Sequence, residues 1–362
     1  MTGRERMLAA LKGEPVDRLP FWPKLFPEYL AYSKEESFKD WTLQDYHDYF
    51  GSDFHEYVYP PVELDDSGTS HTEVTTKDTD DGVEETILYR CASGSRSAMT
   101  RDTHPVDYPL KNREDILFMT EWYKGTIYRR SEKYFNQQNY QWSILGEKGI
   151  LAMPMGRSPF MQTIELLGGI EETQYLLADY PNEMEALFDA LHGDMVRRIP
   201  VILEHSKADL MYMVEDTSTT ILSPDQFRKY CKPYLMEYNE ICKAQGKIMG
   251  LHMCGHLHAL LDDLAAMDIS VFEAFTTPEM GNTHLIDGKN HCPDTCLIGG
   301  TNATLWTKSA DDICAGIKAE LDALDNHRGV IITTAGIIPI GCRPETVRTV
   351  CEYVKAFPAR ME

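Results

Sequence analysis

The sequence predicts a single α/β domain built as a (β/α)8 TIM barrel, with an antiparallel ribbon and helix inserted after the second strand. From residue 149 onward, short apolar segments alternate with amphipathic helical segments. Near-continuous apolar strands that are each followed by a helix are typical of a parallel sheet whose outer face is covered. Two more strands are predicted before residue 62, which makes eight, the number that closes such a barrel. The 362 residues suffice for one enlarged barrel, so residues 1–362 are predicted to form one domain.

The N-terminal part of the chain is predicted to contain one helix and the first two strands. Helical periodicity over residues 3–12 ends at Gly13, and the first strand is predicted at Leu19–Leu25. A helical stretch around 34–50 then leads to Asp53–Pro60. The aromatic and β-branched residues of this last segment favour the second strand.

The segment from about 62 to 148 has a different pattern and is predicted to be an insertion. Thr72–Thr79 and Val83–Cys91 are rich in β-forming residues and flank Asp80-Asp-Gly82, a hairpin signal. A helix is predicted from Asn112 onward, and a segment rich in Tyr, Trp and Gln follows it. We expect this insertion to lie where it could cover a pocket.

The remaining strands and helices alternate to the end of the chain. The strands are predicted at Gly149–Met155, Asp209–Glu215, Lys247–Cys254, Ile269–Phe275, Cys296–Asn302 and Gly329–Ala335. The helices are predicted at 160–177, 181–205, 223–245, 256–267, 310–325 and 344–357. In a barrel of this kind the chemistry takes place at the C-terminal ends of the strands.

Composition excludes several classes of partner. The chain has 35 Lys and Arg against 57 Asp and Glu, and its formal charge of -22 repels phosphate backbones and anionic lipids, so no nucleic acid and no membrane partner is expected. No apolar run approaches the roughly 20 residues of a membrane span, and the charged, amphipathic start does not resemble a secretory leader. We therefore expect a cytoplasmic protein. Its nine scattered cysteines favour thiols and ligands over disulfides.

His252 and Cys254 form the strongest candidate for chemistry in the sequence. Side chains two residues apart on a strand point to the same face, so both can reach one metal ion at the end of the fifth predicted strand. Imidazole and thiolate both suit Zn2+. Two ligands do not complete a site, however, and a buried cysteine near a hydrogen-bonded histidine would show the same pattern.

Further donors are predicted at other strand ends. Glu273, near the end of the sixth strand, is either a ligand, a buried charge paired with Lys or Arg, or a contact to substrate. Cys342 follows the eighth strand and precedes a helix, whose dipole would favour the thiolate. Glu215 and Asp216 end the fourth strand and are predicted to handle substrate or a proton, with an ion pair at the barrel rim as the alternative.

These residues resemble the uroporphyrinogen decarboxylase superfamily, and within it the zinc-containing, cobalamin-dependent methyltransferase branch. The resemblance extends over nearly the whole chain and includes Arg4–Pro20, Leu222–Phe227 and Gly299–Asn302. The most specific part is His252-Met-Cys254 followed by Cys342, which is similar to the H-x-C and distant C that bind zinc in that branch. Cobalamin-independent methionine synthase has a similar His, Cys, Glu, Cys set, which supports Glu273 as a ligand.

The resemblance implies transfer of a methyl group between a small methylated substrate and the Co(I) of a corrinoid (cobalamin) carried by a partner protein. Zinc bound to the heteroatom of the donor would withdraw charge as the methyl leaves. In the reverse direction zinc would hold a thiolate, as in a methyl-corrinoid:thiol methyltransferase. A barrel that only binds a corrinoid protein is a third reading.

A uroporphyrinogen decarboxylase-type carboxy-lyase is the main alternative, but one part of the sequence departs from it. The decarboxylase carries an arginine-rich motif near its N-terminus that grips the carboxylates of the porphyrinogen. After Pro20 this chain instead reads Phe-Trp-Pro-Lys-Leu-Phe-Pro-Glu-Tyr-Leu30. Its net negative charge is also a poor setting for a polycarboxylate.

Aromatic residues of the insertion suggest an aryl methyl ether as the methyl donor, which would make the chain the methyltransferase component of an O-demethylase. Six of them could wall a flat pocket: Trp122, Tyr123, Tyr128, Tyr134, Tyr140 and Trp142. Aromatic residues in an insertion can equally form its own core. Methanol, methylamines and thiol-type donors are the other candidates.

Overall fold

The computed structural model describes residues 1–25, 29, 38 and 40–362. These residues contain fourteen strands: β1 Phe21–Trp22, β2 Phe54–Tyr57, β3 Val62–Leu64, β4 His71–Thr79, β5 Gly82–Cys91, β6 Gly94–Arg101, β7 His104–Asp107, β8 Tyr128–Arg130, β9 Gly149–Gly156, β10 Leu210–Val214, β11 Ile248–His252, β12 Val271–Phe275, β13 Cys296–Gly299 and β14 Val330–Thr333. Every barrel strand predicted from the sequence is present.

Eight parallel strands form the barrel, in the order β1-β14-β13-β12-β11-β10-β9-β2. Between the two end strands of this sheet, the N–H of Asp53 donates to the carbonyl of Phe21 at 2.9 Å. The Asp53 carboxylate is buried and pairs with Arg6 at 2.7 Å and Arg18 at 2.9 Å. These contacts hold the start of β2 beside β1 and nearly close the barrel.

The apolar strands bury both of their faces, which is why they lack a polar alternation. Outward-facing residues such as Met153 and Leu251 pack beneath the helices in the larger core. Inward-facing residues such as Ile150, Tyr212 and Ile298 fill the barrel interior in a second cluster. The polar residues of the candidate site lie above this inner cluster, at the C-terminal ends of the strands.

The helices cover the outside of the barrel and follow the predicted pattern with local breaks. They span Gly3–Leu11, Leu43–Phe50, Arg113–Lys124, Glu132–Leu145, Pro159–Gln162, Ile170–Asp179, Pro181–His205, Pro224–Tyr230, Lys232–Ala244, Leu261–Ala265, Leu285–His291, Ala310–Asp322 and Pro344–Ala356. Part of the helical stretch predicted at 34–50 lies outside the described residues. None of the described helices is both long enough and apolar enough to cross a membrane.

Two predicted helices are interrupted. The helix predicted at 160–177 contains a π-helical turn at Thr163–Gly168 and then breaks at Gly169, whose φ of 73° is left-handed. The helix predicted at 223–245 breaks at Cys231, where the backbone leaves the helical region. The short helix Leu285–His291 was not predicted, because its few apolar residues give no clear periodicity.

The insertion forms two antiparallel sheets and two helices. The predicted hairpin is confirmed as β4 and β5, which pair from His71 with Arg90 to Thr79 with Gly82. β6 and β7 extend it to four strands, while β3 pairs with β8. The sequence did not predict β6 because its Gly-Ser-Arg-Ser start has no apolar alternation.

Candidate metal centre

Asp216, His252 and Cys254 come together at the C-terminal end of the barrel. One donor atom from each residue lies within 4.8 Å of the others, and within the described parts of the chain no other group of His, Cys, Asp and Glu does so. The Nε2 atom of His252 is 3.0 Å from Asp216 Oδ1, and the Cys254 thiol donates to the same oxygen at 3.3 Å. Nitrogen, sulfur and oxygen donors at this spacing suit a zinc ion.

The backbone of two neighbouring strands sets these positions. β10 and β11 pair in parallel with Val214 opposite His252, and the N–H groups of Glu215 and Asp216 both donate to the His252 carbonyl at 3.0 Å. Asp216 has a left-handed φ of 40°, a conformation uncommon for residues other than glycine. This turn directs the carboxylate toward His252.

Glu273 and Lys24 hold the other side of the imidazole. Glu273 lies opposite His252 in the register of β11 and β12, and its carboxylate binds His252 Nδ1 and accepts from Lys24 Nζ at 2.9 Å. Burial raises the pKa of Glu273, but the charges of Lys24 and His252 outweigh it and lower the pKa to about 2. A carboxylate on Nδ1 orients the ring and leaves Nε2 for a metal.

Protonation of His252 opposes metal binding. Burial lowers the pKa of His252, but the nearby Glu273 charge and the hydrogen bond with Asp216 outweigh it, so the pKa lies well above the ordinary value. The imidazole is therefore protonated in this arrangement. A metal ion at Nε2 must displace that proton, so metal affinity is expected to fall with falling pH.

Glu215 is turned away from the group of donors. Its carboxylate accepts from the Ser158 N–H at 2.5 Å and from the Ser158 hydroxyl at 2.7 Å, at the start of helix Pro159–Gln162. Burial raises the pKa of Glu215 to about 7, against the lowering effect of these hydrogen bonds. Glu215 thus anchors a neighbouring helix, and its role in proton handling stays a prediction.

Cys342 lies in the loop after β14 and is not a member of the group of three. Its N–H donates to Pro339 O at 2.9 Å and its carbonyl accepts from Tyr29 at 2.8 Å. Burial raises the pKa of its thiol to about 12, so the helix that follows does not by itself produce a thiolate. The assignments of Cys342 and Glu273 as ligands both stay predictions.

An inner cavity of about 470 Å³ opens on the His252 side of the group. Part of its wall comes from residues that face the barrel interior on β1, β2 and β10. They include Trp22, His55, Tyr57 and Tyr212, with Lys24 beside His252. The cavity is therefore rich in aromatic rings, and the Lys24 ammonium group that lines it is paired with Glu273.

An outer cavity of about 670 Å³ opens on the Asp216 side and is more acidic. Glu165, Glu171 and Glu172 line it together with Asp216. Glu165 forms an ion pair with Arg157, yet burial raises its pKa to about 7. Asp216 thus borders the outer cavity and His252 borders the inner one, and the two cavities differ in character.

The six aromatic residues of the insertion do not wall the inner cavity, so that prediction is wrong. Trp122 packs edge-on against Tyr89 and Tyr123 beneath the ribbon, and Tyr128 hydrogen-bonds Asp194. Others lie elsewhere: Tyr140 is 67% exposed, Trp142 stacks on the Arg4 guanidinium at 4.2 Å and Tyr134 packs against Tyr59. They pack within the insertion or join it to the rest of the chain.

The barrel strands provide several site residues that the sequence did not single out. Lys24 is the one cation in an otherwise apolar predicted strand, which was a usable signal. His55 and Tyr57 alternate on β2, so they share the inward face. Tyr212 lies within an apolar strand segment, so in the sequence it could not be distinguished from a core residue.

Comparisons with known proteins support the fold and show a match to one protein family. The pattern described as Uroporphyrinogen decarboxylase (URO-D) matches residues 155–357. A methyltransferase from Methanosarcina mazei has a similar structure, with a TM-score of 0.62 and 18% identity over 99% of this chain and 100% of that one. A protein described as a vitamin-B12 independent methionine synthase from Listeria monocytogenes gives a TM-score of 0.44 at 12% identity, over 63% of this chain and 70% of that one. No protein of curated function matches the sequence.

Proposed function

The chain belongs to the uroporphyrinogen decarboxylase family, and we propose that within it the protein is a zinc-dependent methyltransferase. The observation that carries the proposal is the group Asp216, His252 and Cys254 between two cavities. A methyl transfer needs a small donor on one side of the reacting carbon and an acceptor on the other. The inner and outer cavities offer these two positions.

The donor set supports zinc in preference to a hard cation. Asp216, His252 and Cys254 would hold it, with Cys342 as the proposed second thiolate and Glu273 either as a ligand or as the group that orients His252. Mg2+ and Ca2+ favour all-oxygen sites, whereas thiol and imidazole favour zinc. When bound, zinc would supply Lewis acidity to the heteroatom of the methyl donor.

The proposed reaction is methyl transfer from an aryl methyl ether to the Co(I) of a corrinoid carried by a partner protein in the cytoplasm. The electron pair of Co(I) forms the new bond to carbon, and the carbon–oxygen pair leaves with the oxygen, which takes a proton to become a phenol. The aromatic walls formed by Trp22, Tyr57 and Tyr212 support a flat donor. We assign the approach of the acceptor to the outer cavity, which opens beside Asp216.

The charge of the inner cavity argues against a polycarboxylate substrate. Lys24 and the protonated His252 are the cations in its described lining. Both are already paired with carboxylates, Lys24 with Glu273 at 2.9 Å and His252 with Asp216 at 3.0 Å. His47 and His55 also line the cavity, and burial lowers the pKa of each to about 3, so both are neutral at pH 7. Carboxylates entering this cavity would lose hydration without gaining a counter-charge.

The test is to incubate the zinc-loaded protein with a Co(I) corrinoid protein and a panel of methyl donors. We expect a methoxylated phenol to yield methylated corrinoid and free diol in equal amounts, with loss of the reaction in Cys254→Ala. Methylation with methanol, a methylamine or a thioether alone would reject the aryl ether but keep the methyltransferase. Transfer to a thiol from methylated corrinoid alone would favour the reverse reaction, and formation of coproporphyrinogen from uroporphyrinogen would favour the decarboxylase.

A further inference from the structure

Two buried polar residues in the inner cavity have hydrogen-bonding atoms without partners among the described residues. These atoms are Nδ1 and Nε2 of His55 and the hydroxyl of Tyr212. His55 is 3% exposed and Tyr212 is 1% exposed, and both line the cavity. Most buried polar side chains find a partner, and a buried group without one costs about 1–3 kcal/mol. The pair therefore indicates a place for a ligand.

Packing keeps both rings in place. The His55 ring stacks on Trp22 with centroids 3.6 Å apart, and it lies nearly parallel to Tyr212 at 5.7 Å. Across the sheet, Tyr212 pairs with Gly250, where an added Cβ would approach the Tyr212 ring at 3.1 Å. The glycine thus leaves room for the tyrosine, and neither ring can turn far in search of another partner.

The hydrogen-bonding capacity of the pair fits a neutral group. Burial lowers the pKa of His55 to about 3 and raises the pKa of Tyr212 well above 10, so neither carries a charge at neutral pH. A neutral imidazole offers one donor and one acceptor, and a phenol offers a donor. A hydroxyl group can accept from one of these residues and donate to the other, whereas a carboxylate would lack a counter-charge.

We propose that His55 and Tyr212 form a subsite that recognises a hydroxyl group on a neutral aromatic methyl ether. The inference rests on the proposed function, because it assumes that the methylated oxygen of the same molecule faces His252. The substrate class is then a methoxylated phenol with a free ring hydroxyl. An aryl ether without that hydroxyl would leave the buried atoms unpaired and would bind more weakly.

The test compares binding of a methoxyphenol and of methoxybenzene, which lacks the hydroxyl, to the zinc-loaded protein without any corrinoid. By calorimetry we expect the natural protein to bind the methoxyphenol at least about tenfold more tightly. In Tyr212→Phe and in His55→Phe this ratio should fall to within about threefold, with zinc content unchanged. In turnover, Tyr212→Phe should raise KM for the methoxyphenol while kcat changes by less than about threefold.

Tyr238→Phe is the matched control. Tyr238 is also fully buried, but its hydroxyl pairs with His192 Nδ1 at 3.2 Å, and it lies outside the barrel cavity. This variant should unfold at a lower temperature and keep the natural preference for the methoxyphenol. Tyr212→Phe without ligand should unfold at the natural temperature or above it, because it removes an unpaired hydroxyl.

Three results would overturn the inference. The natural protein could bind both ligands equally, which would mean that water alone satisfies the pair. The preference could persist in both variants, or Tyr212→Phe could lose as much thermal stability as Tyr238→Phe, which would reveal an internal partner. Failure of methyl transfer with the binding preference intact would instead reject the proposed function and leave the hydroxyl subsite standing.

Discussion

The two sides of His252 differ in how their charges are balanced. On the inner side, Lys24 neutralises the Glu273 carboxylate, and the other walls are mainly apolar and ring side chains together with Glu56, which accepts a hydrogen bond from Gln141. On the outer side, Asp216, Glu165 and two further glutamates line an open cavity. In the proposed function, the inner side would take the small uncharged methyl donor and the outer side the larger, hydrated partner.

Two buried carboxylates near the site show how a neighbouring group sets the charge. Glu273 and Glu215 are both fully buried near the ends of nearby strands. Glu273 has cationic neighbours and its pKa falls to about 2, while Glu215 is hydrogen-bonded by Ser158 among the described residues and burial raises its pKa to about 7. Burial therefore does not determine the charge of a carboxylate here; the partner does.

The largest expected effect comes from removing a donor between the two cavities. Cys254→Ala should lose zinc and reduce methyl transfer by at least about a hundredfold, because two remaining close donors hold the metal poorly. Metal analysis measures the zinc content, and a turnover assay measures the rate of methyl transfer. Cys314→Ala changes a similarly half-buried cysteine on helix Ala310–Asp322 and should retain both. Full zinc in Cys254→Ala would show that the ligands were wrongly assigned.

The second-largest effect is expected from breaking the ion pair of Lys24 and Glu273. Glu273→Gln leaves the buried Lys24 ammonium without a counter-charge, so the free energy of unfolding should fall by about 3 kcal/mol or more. Zinc affinity should fall by roughly 10–100-fold because the hold on His252 Nδ1 weakens. Denaturant titration and metal titration separate the two effects.

Two further variants sharpen this result. Lys24→Met combined with Glu273→Gln should recover most of the stability but not the zinc affinity. On the outer side, Glu165→Gln should cost about 1 kcal/mol or less, because Arg157 is 23% exposed and can remain hydrated. Equal losses in Glu165→Gln and Glu273→Gln would remove the distinction between the two sides.

The sequence predicted the barrel better than the insertion for a physical reason. Strands buried on both faces must be apolar throughout, so all eight barrel strands appear as apolar segments. The ribbon is exposed: β4 and β5 were predicted from their turn and their β-forming residues, whereas β6 owes its pairing to backbone hydrogen bonds that leave little trace in hydropathy. The aromatic residues of the insertion indicated that it would pack, but they did not indicate which residues it would pack against.

Site residues that lie on a strand were predicted from the alternation of its side chains. The part of the site geometry that depends on a turn was not predicted. His252 and Cys254 were predicted as neighbouring ligands from the alternation of side chains along a strand. Asp216 was predicted at the end of a strand, but to handle substrate or a proton and not to join the two ligands. Its left-handed φ, which directs it to His252, has no sequence signal. The contact of Lys24 with Glu273 joins residues 249 positions apart and depends on the closed barrel.

The inner side should also show a characteristic pH dependence through His55. Its folded pKa of about 3 lies below the ordinary 6.5, so between these values the unfolded chain binds a proton that the folded chain does not. The resulting stability is fully present above pH 6.5 and is lost as pH falls toward 3. Between pH 6 and 4.5, metal-free protein should lose up to about 1.4 kcal/mol more per pH unit than His55→Gln. If the natural protein and His55→Gln lose the same stability per pH unit, His55 is protonated in the folded state as well.

Glu215, at the end of β10, should give a slope of opposite sign. Its folded pKa of about 7 lies above the ordinary 4.5, so between these values the folded chain holds a proton that the unfolded chain has released. Stability from this group is fully present below pH 4.5 and is lost as pH rises toward 7. Relative to Glu215→Gln, metal-free protein should lose up to about 1.4 kcal/mol per pH unit over that interval. A slope of the His55 sign would mean that Ser158 keeps the carboxylate ionised.

The smallest effect is expected at the mouth of the outer cavity. Glu171 is exposed there, and charges in water are screened within about 10 Å at 0.1 M salt. Glu171→Gln should therefore change the free energy of unfolding by less than about 0.5 kcal/mol and leave zinc content intact. With free Co(I) cobalamin as acceptor, the rate of methyl transfer should change by less than about twofold. A tenfold change with the free corrinoid would mean that the mouth contacts the acceptor directly, and the outer side would then be as specific a binding site as the inner one.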